Sequence, residues 1–144
     1  MFDTEEFKRL ILARKNTYSI DDFAIDIACK NTIRYLCQND EVFDGFVGYM
    51  KREMTIDEYI YLSEISNDLS GIHPSLEFVE AYKSLAQKYP KETIEWQIDT
   101  FIEDADRLVN YFLKNEEARV KRLKEWYDND PDFIKPYLKK IRTR

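Results

Sequence analysis

The sequence predicts an all-α protein, a single-domain bundle of seven or eight helices joined by short loops. Three observations carry this. Apolar residues recur at three- and four-residue spacing from Phe7 to Ile141. Glycines number only three and prolines four in 144 residues, too few for the turns of a sandwich or barrel. No stretch alternates apolar and polar residues between turn signals, as a half-buried strand would.

The elements follow in order. Asp3 with Glu6 predicts a capping box opening a helix over about 4–14, with Phe7, Leu10 and Ile11 inward. Ser19 precedes a long helix over 20–37, with Asp21 and Asp22 favouring the positive end of its dipole. Its apolar positions are Ile20, Phe23, Ala24, Ile27, Ala28, Ile33, Leu36 and Cys37. A third helix starts at Asn39 or Asp40, runs to about 52, and carries Val42, Phe43, Phe46, Val47 and Met50. Gly45 and Gly48 lie inside it at a cost of about 1 kcal/mol each relative to Ala. Their spacing predicts close packing against another helix.

Thr55 and Glu58 form a second capping box, opening a helix over 56–69 that Gly71 ends as its C′ residue. His73-Pro74 starts the next helix, over 75–89, which aligns Leu76, Val79, Tyr82 and Ala86 and which Pro90 stops. The clearest periodicity comes next. Ile94, Ile98, Phe101, Ile102, Ala105, Leu108, Val109, Phe112 and Leu113 form one apolar stripe on a helix spanning at least 92–113. Val120, Leu123, Trp126 and Tyr127 continue a helical pattern, either in the same helix or in a new one capped by Asn115. Asp130 caps a last short helix with Pro131 at its first position and Phe133, Ile134, Tyr137, Leu138 and Ile141 on its apolar face.

The chain is acidic, with 28 Asp and Glu against 22 Lys and Arg and a net charge of −6. That charge is uneven. Residues 1–113 hold 22 acids and 12 bases, a net −10, whereas residues 114–144 hold 6 acids and 10 bases, a net +4. The expectation is one domain, 1–144, in which a basic helical extension, 114–144, packs on an acidic body. The bases Arg119, Lys121, Arg122, Lys124, Lys135, Lys139, Lys140, Arg142 and Arg144 would suit a nucleic-acid arm. A net −10 body, however, repels the phosphates that dominate such affinity.

The catalytic inventory is thin. His73 is the one histidine, so no metal centre needing two is open to this chain. Beside Pro74 it reads as a loop or cap residue. There is no phosphate loop, nucleophile elbow or dinucleotide fingerprint. Residues 128–132 resemble the start of a calcium loop, but the required Gly is absent and Lys139 stands where the bidentate Glu belongs. Cys29 and Cys37 on one helix would sit roughly 12 Å apart along its axis, beyond the reach of a disulfide. Free thiols suit a reducing cytoplasm. No apolar run reaches membrane-spanning length, and the first residues do not read as a signal peptide. The expectation is a cytoplasmic, non-enzymatic protein with no cofactor, no metal and no membrane contact.

Two acidic faces carry the functional expectation. Glu92, Glu95, Asp99, Glu103 and Asp106 fall within a sector of about 80° on one helix. Asp57, Tyr61, Glu64 and Asp68 share a sector of another. Carboxylates steer a basic partner and pair with its Lys and Arg, while a rigid Tyr supplies contact area. The plain alternative for each face is solvated surface. These nine residues are the candidate partner-binding set, and the expected partner is a basic protein. The most concrete version is an immunity protein or antitoxin occluding a basic bacterial toxin. The alternative is a regulatory or nucleic-acid-associated protein using the basic C-terminal helices.

Overall fold

The computed structural model describes residues 1–17 and 20–142. Among them ten α-helices form and no strand occurs. They are α1 (Thr4–Lys15), α2 (Asp22–Leu36), α3 (Asp40–Arg52), α4 (Ile56–Leu62), α5 (Ser66–Ile72), α6 (Leu76–Lys88), α7 (Pro90–Glu95), α8 (Ile98–Lys114), α9 (Glu116–Tyr127) and α10 (Pro131–Arg142). The all-α expectation holds. The count exceeds seven or eight because two of the predicted helices are each split.

The first split falls at residues 63–65. Ser63 turns its hydroxyl back to donate to the Ile60 carbonyl at 2.7 Å, the side-chain bonding that competes with helix continuation. The second α-helical piece then runs through Gly71 to Ile72, with His73 as its C-cap. Gly71 is therefore not the C′ residue. A Cβ there would meet Arg122 Cγ at 3.3 Å and the Phe112 ring at 3.7 Å. Its bare backbone lets α5 come close to α8 and α9. The close-packing role expected of Gly45 and Gly48 goes elsewhere. A Cβ at Gly45 would stand 2.5 Å from Phe2 Cβ, and one at Gly48 would meet the Arg52 guanidinium of the same helix. What Gly45 admits is the N-terminal Phe2, not a helix.

The second split falls at Trp96 and Gln97. Pro90 occupies the first position of α7, so it opens a short helix as well as ending α6. Gln97 then adopts φ 53°, and no other non-glycine among the described residues has positive φ. One left-handed residue ends α7 and breaks the register of the apolar pattern. Ile98, Ile102, Ala105, Val109 and Phe112 form the buried side of α8. Ile94, on the far side of the break, is 80% exposed, and Leu113 at the flank is 51% exposed.

Smaller differences concern the caps. Asp3 accepts from the Glu5 and Glu6 amides, but the Glu6 carboxylate pairs with Arg9 and does not return to the cap. Ser19 lies outside the described residues. Asp21 caps α2 by accepting from the Ala24 amide at 3.0 Å, and Ile20, Phe23 and Ile27 are exposed. His73-Pro74 does not start the next helix: Ser75 caps α6 by accepting from the Phe78 amide, which leaves Leu76 in an exposed first turn. Asn115 caps α9 by accepting from the Ala118 amide, so α9 is a new helix. The Asp130 carboxylate accepts from Arg34 Nε on α2.

One hydrophobic cluster runs from Phe7 in α1 to Ile141 in α10. The most amphipathic helix, α8, sits at its centre and packs against α5, α6, α7 and α9. At the other end an aromatic group closes the core. Phe7 lies 5.2 Å from Phe46, and Phe2 lies 5.4 Å from Tyr49, centroid to centroid. Beneath it, Glu58 completes the predicted capping box with Thr55. Its carboxylate also accepts from the Tyr49 hydroxyl at 2.6 Å and from Lys8 Nζ at 3.2 Å. This one buried carboxylate thus joins α1, α3 and α4. The basic α9–α10 pair meets the acidic body through Arg122 and Asp68 (3.8 Å) and through Lys140 and Asp40 (3.1 Å).

Candidate protein-binding surface

The structure separates the nine candidate residues into two groups. The first is spent inside the chain. Asp57 holds Lys15 Nζ at 2.6 Å. Glu64 takes Arg14 in a bidentate grip, with Nε and Nη2 donating at 2.8 and 2.6 Å. The same guanidinium lies 5.3 Å over the Tyr61 ring. Asp68 faces Arg122, and burial raises its carboxyl above the ordinary aspartate value. The acids of this face are therefore paired within the chain, although Asp57 and Glu64 stay exposed. The face is a seam that receives the end of α1 and the start of the basic extension. Asp106 belongs with this group, since it pairs with Lys83 of α6 at 3.1 Å and accepts from Asn110 Nδ2 at 2.8 Å.

The second group is Glu92, Glu95, Asp99 and Glu103. Among the described residues none of the four makes an ion pair or a side-chain hydrogen bond. They do not lie on one helix, as the sequence predicts. Glu92 and Glu95 sit on α7, and Asp99 and Glu103 sit one turn apart on α8, across the break at Gln97. They still act on a common space. The Tyr59 phenol is pushed up first by burial, and both Asp99 and Glu92 add to that rise. Tyr59 anchors the junction from below. Thr93 gives its hydroxyl hydrogen to the Tyr89 carbonyl at 2.8 Å, so Tyr59 donates to Thr93 Oγ1 at 2.6 Å.

Two exposed residues that the sequence does not assign to a binding face lie in the same segment. Ile94 is 80% exposed and Trp96 is 55% exposed. Large apolar side chains ringed by charge are the usual anchors of a protein interface. The signal for Ile94 is misleading, because its spacing continues the buried stripe of α8. Trp96 carries none beyond its size. A second exposed apolar set, Ile20, Phe23 and Ile27, lies at the start of α2.

Elsewhere the chemistry is quiet. Burial pushes the Cys29 thiol up to about 11 and raises that of Cys37 as well, so neither is poised as a nucleophile. No group of three His, Cys, Asp or Glu side chains among the described residues is arranged to hold a metal ion. No helix among them is long and apolar enough to cross a membrane. No family model, no curated protein and no solved structure matches this chain.

Proposed function

We propose that the chain is a non-enzymatic protein-binding module that grips a basic partner at the α7–α8 junction. One observation carries the reading. Within the single segment 92–103, four carboxylates without internal partners accompany two exposed apolar side chains, Ile94 and Trp96. Unpaired acids steer a basic protein into contact. An exposed Trp gives a partner pocket the desolvated contact that dominates interface energy. In its most concrete form the module is an immunity protein or antitoxin of a bacterial cytoplasm. It occludes a basic toxin by placing carboxylates where that toxin would take phosphates.

The test is affinity capture from the native source with three baits: wild type, Trp96→Ala, and a variant carrying Glu92→Gln, Glu95→Gln, Asp99→Asn and Glu103→Gln. Wild type retains a basic protein that salt releases. Trp96→Ala weakens it by about thirtyfold, the equivalent of about 2 kcal/mol, and the neutralised variant loses it with no fall in melting temperature. Equal capture by all three baits sinks the reading. A fourth bait, Phe23→Ala, tests the exposed start of α2: loss on it alone moves the surface there.

A second reading rests on Lys121, Lys124, Lys135 and Lys139, which are exposed on α9 and α10 and make no ion pair among the described residues. It makes the protein regulatory or nucleic-acid-associated, with binding to duplex DNA or RNA that falls steeply with salt. Failure to bind either at low salt removes it.

A further inference from the structure

A single residue, Asn115, stands between α8, which ends at Lys114, and α9, which begins at Glu116. Links between packed helices usually run to about two to eight residues, so this corner is tight. Asn115 makes it at φ −132° and ψ 84° and accepts from the Ala118 amide. Its own amide does not turn back to α8. The residues that end α1, α3 and α6 all donate to a carbonyl of their helix. Among the described residues Asn115 makes no such bond. In a continuing helix that amide would close on the Tyr111 carbonyl.

No glycine or proline bars that continuation. With Asn115 helical, α8 and α9 become one helix over 98–127, about 45 Å long at 1.5 Å per residue. The side-chain pattern suits it. At 100° per residue, Val120 and Leu123 fall in the same sector of about 80° as Ile98, Ile102, Ala105, Val109 and Phe112.

The hairpin beyond the corner moves as a unit. The Trp126 ring meets Phe133 edge-on at 6.1 Å, and the Asp130 amide donates to the Trp126 carbonyl at 2.8 Å. Toward the body it belongs to the core. Leu123 and Ile134 are fully buried. Arg119 Nη2 donates to the Ile72 carbonyl at 3.0 Å, Tyr137 donates to the Cys37 carbonyl, and Lys140 donates to Asp40 at 3.1 Å. A lone chain that straightened would give up all of these. Two chains that straighten together recover each one, because the hairpin of either meets the body of the other through the same contacts. Those contacts cancel between the two states, which leaves the corner to decide, and a tight link favours exchange.

We propose that Asn115 is a hinge through which two copies of this chain exchange their α9–α10 hairpins, with α8 and α9 of each copy fused into one helix. The exchange leaves residues 92–103 untouched, so it can fail without the reading of that segment, and that reading can fail without it.

The experiment refolds wild type, Asn115→Ala and Asn115→Gly as full chains at about 1 mM and sizes them by gel filtration with light scattering. Alanine removes the cap and favours the continuous helix, so its dimer fraction rises at least about threefold over wild type. Glycine disfavours that helix and costs little at a cap, so its dimer fraction falls below wild type. Dimers refolded from mixed isotopically light and heavy chains are then treated with a carbodiimide, which couples Lys140 to Asp40. Linked peptides that carry both isotopes place the hairpin on the other chain. Wild type carries this isotope test by itself, so a variant that fails to refold does not remove it. Three results overturn the proposal: only monomer from both wild type and Asn115→Ala, one dimer fraction common to all three chains, or dimers whose linked peptides carry a single isotope.

Discussion

Replacing Glu58 by alanine should be among the most damaging single changes in this chain. The residue is 3% exposed, and its carboxylate serves three donors. The Tyr49 hydroxyl at 2.6 Å is buried, the Thr55 amide at 3.0 Å starts α4, and Lys8 Nζ lies at 3.2 Å. Alanine leaves the Tyr49 hydroxyl buried without an acceptor, at about 1–3 kcal/mol. It also removes the return half of the capping box, at about 1 kcal/mol, and opens a small void. Lys8 is half exposed and returns to water at little cost. The expected loss is about 4 kcal/mol, or roughly 12 °C in melting temperature for a chain of this length. Glutamine keeps an oxygen for Tyr49 and Thr55 and loses only the charge, so Glu58→Gln should cost about 1 kcal/mol. Urea unfolding followed by circular dichroism measures both. A double-mutant cycle with Tyr49→Phe should return a coupling of about 2 kcal/mol. If Glu58→Ala costs under about 1 kcal/mol, or Glu58→Gln costs as much as Glu58→Ala, the reasoning is wrong.

Three further outcomes follow from particular residues. Gln97→Gly should raise stability by about 1 kcal/mol, because glycine adopts the left-handed conformation without strain, and a fall in the thermal midpoint would contradict that. Arg14→Ala should cost about 1–2 kcal/mol through the lost bidentate grip on Glu64 and the contact with Tyr61, and Arg14→Lys should recover less than half of it. The folded-state carboxyl of Asp68 titrates above its unfolded value, so its contribution to stability falls as pH rises from about 3.8 through the raised value. Asp68→Asn should therefore hold or slightly raise the melting temperature at pH 7 and leave it unchanged at pH 3, as differential scanning fluorimetry would show; a clear fall at pH 7 contradicts this.

What the sequence makes legible is what depends on neighbours along the chain. The caps at Asp3, Thr55 and Asn115 bond within three residues, so residue type and spacing suffice to find them. The split after Leu62 escapes this kind of reading because Ile65 and Leu69 continue the apolar spacing across it. The split at Gln97 has no glycine or proline to mark it. The fate of the acidic faces is less legible still. Glu64 and Asp57 find their partners 50 and 42 residues away, and a carboxylate that will be paired looks in sequence like one that will not. The −10 of the body already counts its own bases, and bases of the extension offset part of it, Arg122 at Asp68 and Lys140 at Asp40. Only the acids of the α7–α8 junction keep the character the pattern suggests.

The seat of Phe2 on Gly45 has a consequence for the life of the chain. Phe2 precedes the first helix, yet its ring contacts Phe7, Tyr35, Phe46 and Tyr49. Loss of Phe2 would therefore act as a core substitution, taking out an aromatic plug and uncovering four rings. The glycine opposite, with no side chain to swing into the gap, could not reseal it. How much stability Phe2→Ala removes is then a measure of how firmly the aromatic end of the core is closed.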